Sequence, residues 1–213
     1  MIKFAVFDFD GTIADSVDFC LYVFKKTFEK FMEKVPLEEE IYQCFGMNEP
    51  GVIRHFIGHD CLDAEEYFYK LHREMHSEFC PETFPGVIGL LDLLKRKNIK
   101  MVLLTGRSET TAQISMECLK IGDYFSDFLY GSKEKSDKAP QMLSLLEKYN
   151  LNRDEMVYIG DAVSDAESSF RANVKCLSAA WTKSARIAEL EKINPGMVFR
   201  TVSEMQEYIE KWN

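Results

Sequence analysis

The stretch Phe4-Ala5-Val6-Phe7-Asp8-Phe9-Asp10-Gly11-Thr12 runs four apolar residues directly into two carboxylates spaced two apart, followed by a glycine and a hydroxyl. A short apolar run of this kind reads as a buried strand. Buried strands exclude unpaired charge, so acids at the carboxyl end are there to hold a cation or to do chemistry. Gly11 lets the backbone turn sharply, and Thr12 adds a hydrogen-bonding group. Taken alone, the motif also fits an ordinary strand followed by an Asp-Gly turn, and the residues downstream must decide.

Residues 16 to about 80 change character, because their apolar positions recur at helical spacing. Val17, Cys20, Leu21, Phe24, Phe28 and Phe31 predict an amphipathic helix from Ser16 to Glu33, with Ser16 or Asp15 as its cap. Further helical patterns cover 37–44, 49–57 and 64–79, with no strand signal between them, and Pro81, Pro85 and Gly86 close the unit. From Val87 onward helices alternate with strands. Helices are expected at 87–97, 109–120, 138–149, 164–172, 183–192 and 203–211, and strands at 100–104, 127–130, 156–159, 174–177 and 197–200. Alternation of this kind implies parallel pairing through right-handed crossovers and a sheet covered on both faces. The expected fold class is therefore α/β: a Rossmann-like parallel-sheet core formed by 1–15 and 82–213, with an inserted all-helical cap domain at 16–81.

The chain has 213 residues, 46% of them hydrophobic, with a net charge of −9 and no Lys/Arg block, which argues against a nucleic-acid surface. Met1-Ile2-Lys3 leads almost at once into the first strand, and no apolar stretch approaches a membrane span. The expectation is a cytoplasmic protein without a cleaved leader or a membrane partner. Cys20, Cys44, Cys61, Cys80, Cys118 and Cys176 form no C-x-x-C pair and read as reduced, small hydrophobes.

In an open parallel sheet, ligands bind outside the carboxyl ends of the strands. Those ends carry Asp8 and Asp10, then Thr105-Gly106-Arg107, then Lys138 ahead of its helix, then Gly160-Asp161 with Asp165 four residues on. Each alone is a common turn or solvated residue. Their shared placement is what matters, because an acid cluster repels itself unless a cation compensates.

In order and spacing, Asp8-Phe9-Asp10-Gly11-Thr12, Thr105, Lys138 and Gly160-Asp161-Ala162-Val163-Ser164-Asp165 resemble the four motifs of the haloacid dehalogenase (HAD) superfamily. The stretch from Asp8 to Asp15-Ser16 is most similar to its phosphoglycolate phosphatase-like branch, and the helical insertion resembles that group's C1 cap. The resemblance spans nearly the whole chain. It implies a HAD-like, Mg²⁺-dependent phosphatase acting on a small phosphorylated metabolite such as phosphoglycolate, a sugar phosphate or a nucleotide; the sequence leaves monomer and dimer equally open. In that family Asp8 would be the nucleophile that forms an aspartyl-phosphate, and Asp10 the general acid and base. Mg²⁺ would be held by Asp8, the Asp10 carbonyl and Asp161, with Asp165 in support; Thr105, Gly106 and Lys138 would bind the phosphoryl oxygens.

The sequence departs from that pattern in two places. Lys138 is followed by Ala139 and only then by Pro140, where the motif commonly has Lys-Pro. Arg107 is not a shared element and reads either as a surface residue, the preferred reading, or as a substrate contact. Asp10 argues against haloacid dehalogenation itself, and no Schiff-base lysine is identifiable for phosphonoacetaldehyde chemistry. A beta-phosphoglucomutase-like phosphomutase is the alternative enzyme, although that group usually has Val where Thr12 stands. A non-hydrolytic phosphoacceptor or binding module resembling response-regulator receivers is the alternative from another class. In the insertion, the loop Gly46-Met47-Asn48-Glu49-Pro50 is the candidate substrate face, and Arg54 a candidate for a second anionic group. His55/His59 and His72/His76 fall at i, i+4 spacing but lack a third ligand, so they read as solvated or partly packed. Phe24, Phe28 and Phe31 read as core between the insertion's helices.

Overall fold

The computed structural model describes residues 1–134 and 137–212. Strand β1 (Phe4–Phe7) is followed by four helices, α1 (Val17–Phe31), α2 (Glu38–Gln43), α3 (Glu49–Ile57) and α4 (Leu62–Phe79). Helix α5 (Val87–Arg96), β2 (Lys100–Leu104), α6 (Glu109–Leu119), β3 (Phe125–Leu129) and α7 (Lys138–Lys148) come next. The chain then forms β4 (Met156–Gly160), α8 (Val163–Ala172), β5 (Lys175–Ala179), α9 (Ile187–Ile193), β6 (Val198–Phe199) and α10 (Val202–Glu210).

All six strands are parallel, in the order β3-β2-β1-β4-β5-β6. β1 therefore sits where the strand order reverses, with β2 on one side and β4 on the other. That is the switch point at which a doubly wound sheet opens a crevice at its carboxyl edge. In register, Phe7 lies beside Leu103 and Ile159, so Asp8 leaves the sheet at the same level as the ends of β2 and β4.

Alternation along the strands divides the core in two. Ala5, Phe7, Met101, Leu103, Val157 and Ile159 belong to one apolar cluster; Phe4, Val6, Val102, Leu104, Met156 and Tyr158 belong to the other, which is filled by α7 and α8 through Ala139, Met142, Leu145 and Ala166. The first cluster continues without a break into α1–α4 through Phe19, Val23, Phe24, Phe28, Ile41, Ile53 and Phe68.

The expected elements are present with small shifts. β3 starts at Phe125 rather than near 127, since Phe125 is buried and pairs with Met101 across a register shift. α9 begins at Ile187 rather than 183, because Thr182 and Ser184 pair their hydroxyls in a turn ahead of it. No described helix is long and apolar enough to cross a membrane. None of the six cysteines, all among the described residues, is in a disulfide, and four of them are buried.

Candidate active site

Asp8 occupies the first position past β1, its amide donating to the Ile159 carbonyl at 2.8 Å. The turn after it depends on Gly11, whose φ of +75° favours glycine and whose missing Cβ leaves room for Asp161; a Cβ there would lie 2.2 Å from Asp161 Oδ2. Thr12 donates to Asp161 Oδ1 at 3.3 Å, tying the first motif to the end of β4.

One oxygen each from Asp8, Asp161 and Asp165 lies within 4.8 Å of the others. Lys138 is the cation among them, its ammonium donating to Asp8 Oδ1 and Asp165 Oδ1 at 2.8 Å each and to the Tyr158 hydroxyl at 2.7 Å. One ammonium cannot neutralise three acids. Burial and the neighbouring Asp165 and Asp10 raise the Asp8 carboxyl to about 7 against the pull of Lys138, and burial with Asp8 and Asp165 pushes Asp161 well above the usual carboxylate range. An oxygen-only trio, buried at Asp8 and Asp165 and half-buried at Asp161, that repels its own charge suits a hard divalent cation such as Mg²⁺.

Lys138 reaches this position although Ala139 replaces the expected proline. Asp137 caps α7 by accepting from the Ala139 amide at 2.9 Å, a bond proline could not make, while Pro140 stays within the first turn, where a missing N–H costs little. Asp137 also accepts from Arg171 and Ser168, and Arg171 holds it down to about 2.

Arg107 overturns its preferred surface reading. It is 3% exposed, and its fork grips Asp10 through Nε at 3.1 and 3.0 Å and Nη2 at 2.7 Å. Nη1 donates to Ser115 Oγ at 2.8 Å and to His72 Nε2 at 3.1 Å, and the guanidinium lies 4.5 Å from the centre of the Phe9 ring. Ser16, at the start of α1, makes no side-chain cap and instead donates to Asp10 Oδ1 at 2.6 Å. Burial pushes the Asp10 carboxyl up, but Arg107 and Ser16 hold it below its ordinary value.

His72 and His76 are fully buried rather than solvated, and His76 meets Ser115 Oγ at 3.0 Å. Burial and the Arg107 charge lower His72 to about 2 and His76 to about 4. The i, i+4 spacing on α4 did signal a shared face; that the face turns inward onto Arg107 carries no local signature.

Thr105 is buried, its amide bonded to the Leu129 carbonyl and its hydroxyl accepting from the Arg107 amide at 3.2 Å. Gly106 lines the cavity, and Gly131 packs so closely that a Cβ on it would sit 2.0 Å from the Gly106 oxygen. The cavity, whose lining includes Gly106 but not Thr105, measures about 640 Å³. Asp8, Asp10, Lys138, Asp161 and Asp165 line it together with Gly46, Met47 and Glu49 from the expected substrate loop. Arg54 is absent from that lining and pairs with Glu134 instead.

The family described as haloacid dehalogenase-like hydrolase matches residues 5–179. A Clostridium perfringens protein provisionally named pyrophosphatase PpaX is 27% identical over 216 residues, covering 100% of both chains. Phosphoglycolate phosphatase 1 of Pseudomonas aeruginosa is 24% identical over 192 residues, covering 84% of this chain and 70% of its own. Among solved structures, CbbY from Rhodobacter sphaeroides in complex with phosphate superposes with a TM-score of 0.76 at 17% identity, covering 96% of each chain.

Proposed function

Since the chain belongs to the haloacid dehalogenase-like hydrolases and is an enzyme of phosphatase type, we propose that it is a Mg²⁺-dependent phosphatase that hydrolyses a small phosphate monoester through an aspartyl-phosphate on Asp8. The observation that carries this reading is the meeting of Asp8, Asp161 and Asp165 around the Lys138 ammonium, beside Asp10, at the switch point of the sheet.

In this reading an Asp8 oxygen attacks phosphorus as the ester P–O bond breaks, and the Asp10 proton passes to the leaving oxygen. Asp10, now a carboxylate, takes a proton from the water that attacks the aspartyl-phosphate, releasing phosphate and restoring Asp8. Thr105, the Gly106 amide and Lys138 hold the phosphoryl oxygens, and a cation held at the acids would offset carboxylate-phosphate repulsion. Asp8, Asp161 and the Asp10 carbonyl would hold Mg²⁺, with Asp165 in support. Arg107 and Ser16 fix the Asp10 carboxylate, which makes Arg107 a positioning residue; holding Asp10 ionised suits its second role as base.

Residues 16–81, carrying α1–α4, are the proposed cap, and 1–15 with 82–213 the core. The cap's part is to exclude water and present side chains to the leaving group.

Asp8→Asn is expected to abolish phosphate release from an aryl phosphate in Mg²⁺ while leaving the circular dichroism spectrum unchanged. Substantial activity in a clean preparation of that variant would overturn the mechanism. Release without an added bisphosphate separates hydrolysis from a phosphomutase, and sustained turnover separates it from a phosphoacceptor.

A further inference from the structure

The cavity is chemically two-sided. Its floor is the charged cluster, but the side formed by α1, α2 and the loop before α3 is apolar: Val17, Phe24, Tyr42, Phe45 and Met47. The three aromatic rings form a connected set, with Phe45 6.4 Å from Phe24 and 5.2 Å from Tyr42 between ring centres. At about 640 Å³ the space exceeds what a two-carbon acid phosphate fills and falls in the range of about 300–1,000 Å³ that encloses far larger ligands.

The cations that line the cavity are all committed. Lys138 bridges Asp8 and Asp165, Arg107 is spent on Asp10, Ser115 and His72, and Arg186 at the rim directs two N–H groups onto Glu189. The remaining charged group on the apolar side is an acid, Glu49, buried and bonded to the Ser108 amide and the Thr111 hydroxyl. A second anionic group brought against this wall would meet, among the described lining residues, no cation without a carboxylate partner.

We propose that the group esterified to the substrate phosphate is uncharged and presents an apolar or aromatic face to Phe24, Tyr42 and Phe45, so that phosphate esters carrying a second anion are disfavoured. This deepens the phosphatase reading and rests on it for the identity of the site. It favours a neutral-bodied monoester over phosphoglycolate, whose carboxylate would meet this wall.

The test uses two matched pairs, 4-carbamoylphenyl against 4-carboxyphenyl phosphate for turnover in Mg²⁺, and 4-carbamoylbenzylphosphonate against 4-carboxybenzylphosphonate for calorimetric binding. The neutral member should be favoured by about tenfold or more in kcat/KM and in affinity. Met47→Arg, which puts a cation on the wall, should shrink or reverse both preferences. Equal or better use of the carboxylated member, or binding of neither phosphonate, would overturn the proposal. A neutral-over-carboxylated binding preference without any turnover would uphold it and overturn the phosphatase reading instead.

Discussion

Arg107 is the residue through which the site's proton chemistry can be tested. It holds Asp10 below the usual carboxylate range, so the protonated fraction of Asp10 falls as pH rises. Leaving groups that need the proton should feel this and those that do not should not. Hydrolysis of an alkyl phosphate is therefore expected to decline with rising pH relative to an aryl phosphate, read as the ratio of their kcat values across pH 5 to 8. Arg107→Lys keeps the charge but loses the fork, and kcat should drop about ten- to a hundredfold with KM little changed. A larger change in KM than in kcat would assign Arg107 to substrate binding. The meeting of Asp8, Asp10, Lys138, Asp161 and Asp165 at one place is legible in the sequence because strand ends in a parallel sheet share one rim. Arg107 stands at that same rim but was misread, since its direction is set by α1, α4 and α6 closing over it.

At the scale of elements, the helices were legible because long apolar periodicities survive any tertiary context; α3 falls where its pattern put it. β3 starts earlier than its pattern suggests because Ser126 and Asp127 interrupt the apolar run, while Phe125 and Phe128 pack into the cluster on one face and Leu129 into the cluster on the other. In α1, Phe28 is fully buried against Phe24 and Phe56. Phe28→Ala should cost about 3–5 kcal/mol in urea denaturation, the usual range for removing a buried aromatic ring. On α4, His72 and His76 are held neutral in the fold, so the unfolded chain binds more protons once pH drops below about 6.5. Stability contributed by this pair is complete above that value and declines as pH falls toward 4 and then 2. The melting temperature should accordingly fall between pH 6.5 and 4.5, with a shallower slope in His76→Leu.

For the whole molecule, the acids at the switch point link metal binding to protons. With Asp8 raised to about 7, the metal-free protein carries it substantially protonated at neutral pH, and a cation must displace that proton. Mg²⁺ affinity is therefore expected to strengthen as pH rises through about 7, with proton release detectable by calorimetry in buffers of different ionisation enthalpy. Trp181 donates to the Thr12 carbonyl at 3.1 Å, so its fluorescence should follow the titration in a Trp212→Phe background. At a hundredfold excess over Kd, binding should add about 2.7 kcal/mol to stability.

Glu49 belongs to α3, yet it accepts from the Ser108 amide at 2.7 Å, at the start of α6, 59 residues further along the chain. One backbone proton thereby records the contact between the inserted helices and the start of α6. While that contact holds, the Ser108 amide is bonded to Glu49; were α3 to lift away, it would become free to exchange with deuterium. Exchange at this single site, measured with and without a bound phosphonate, would show whether the contact between α3 and α6 breaks, without a label, a mutation or turnover.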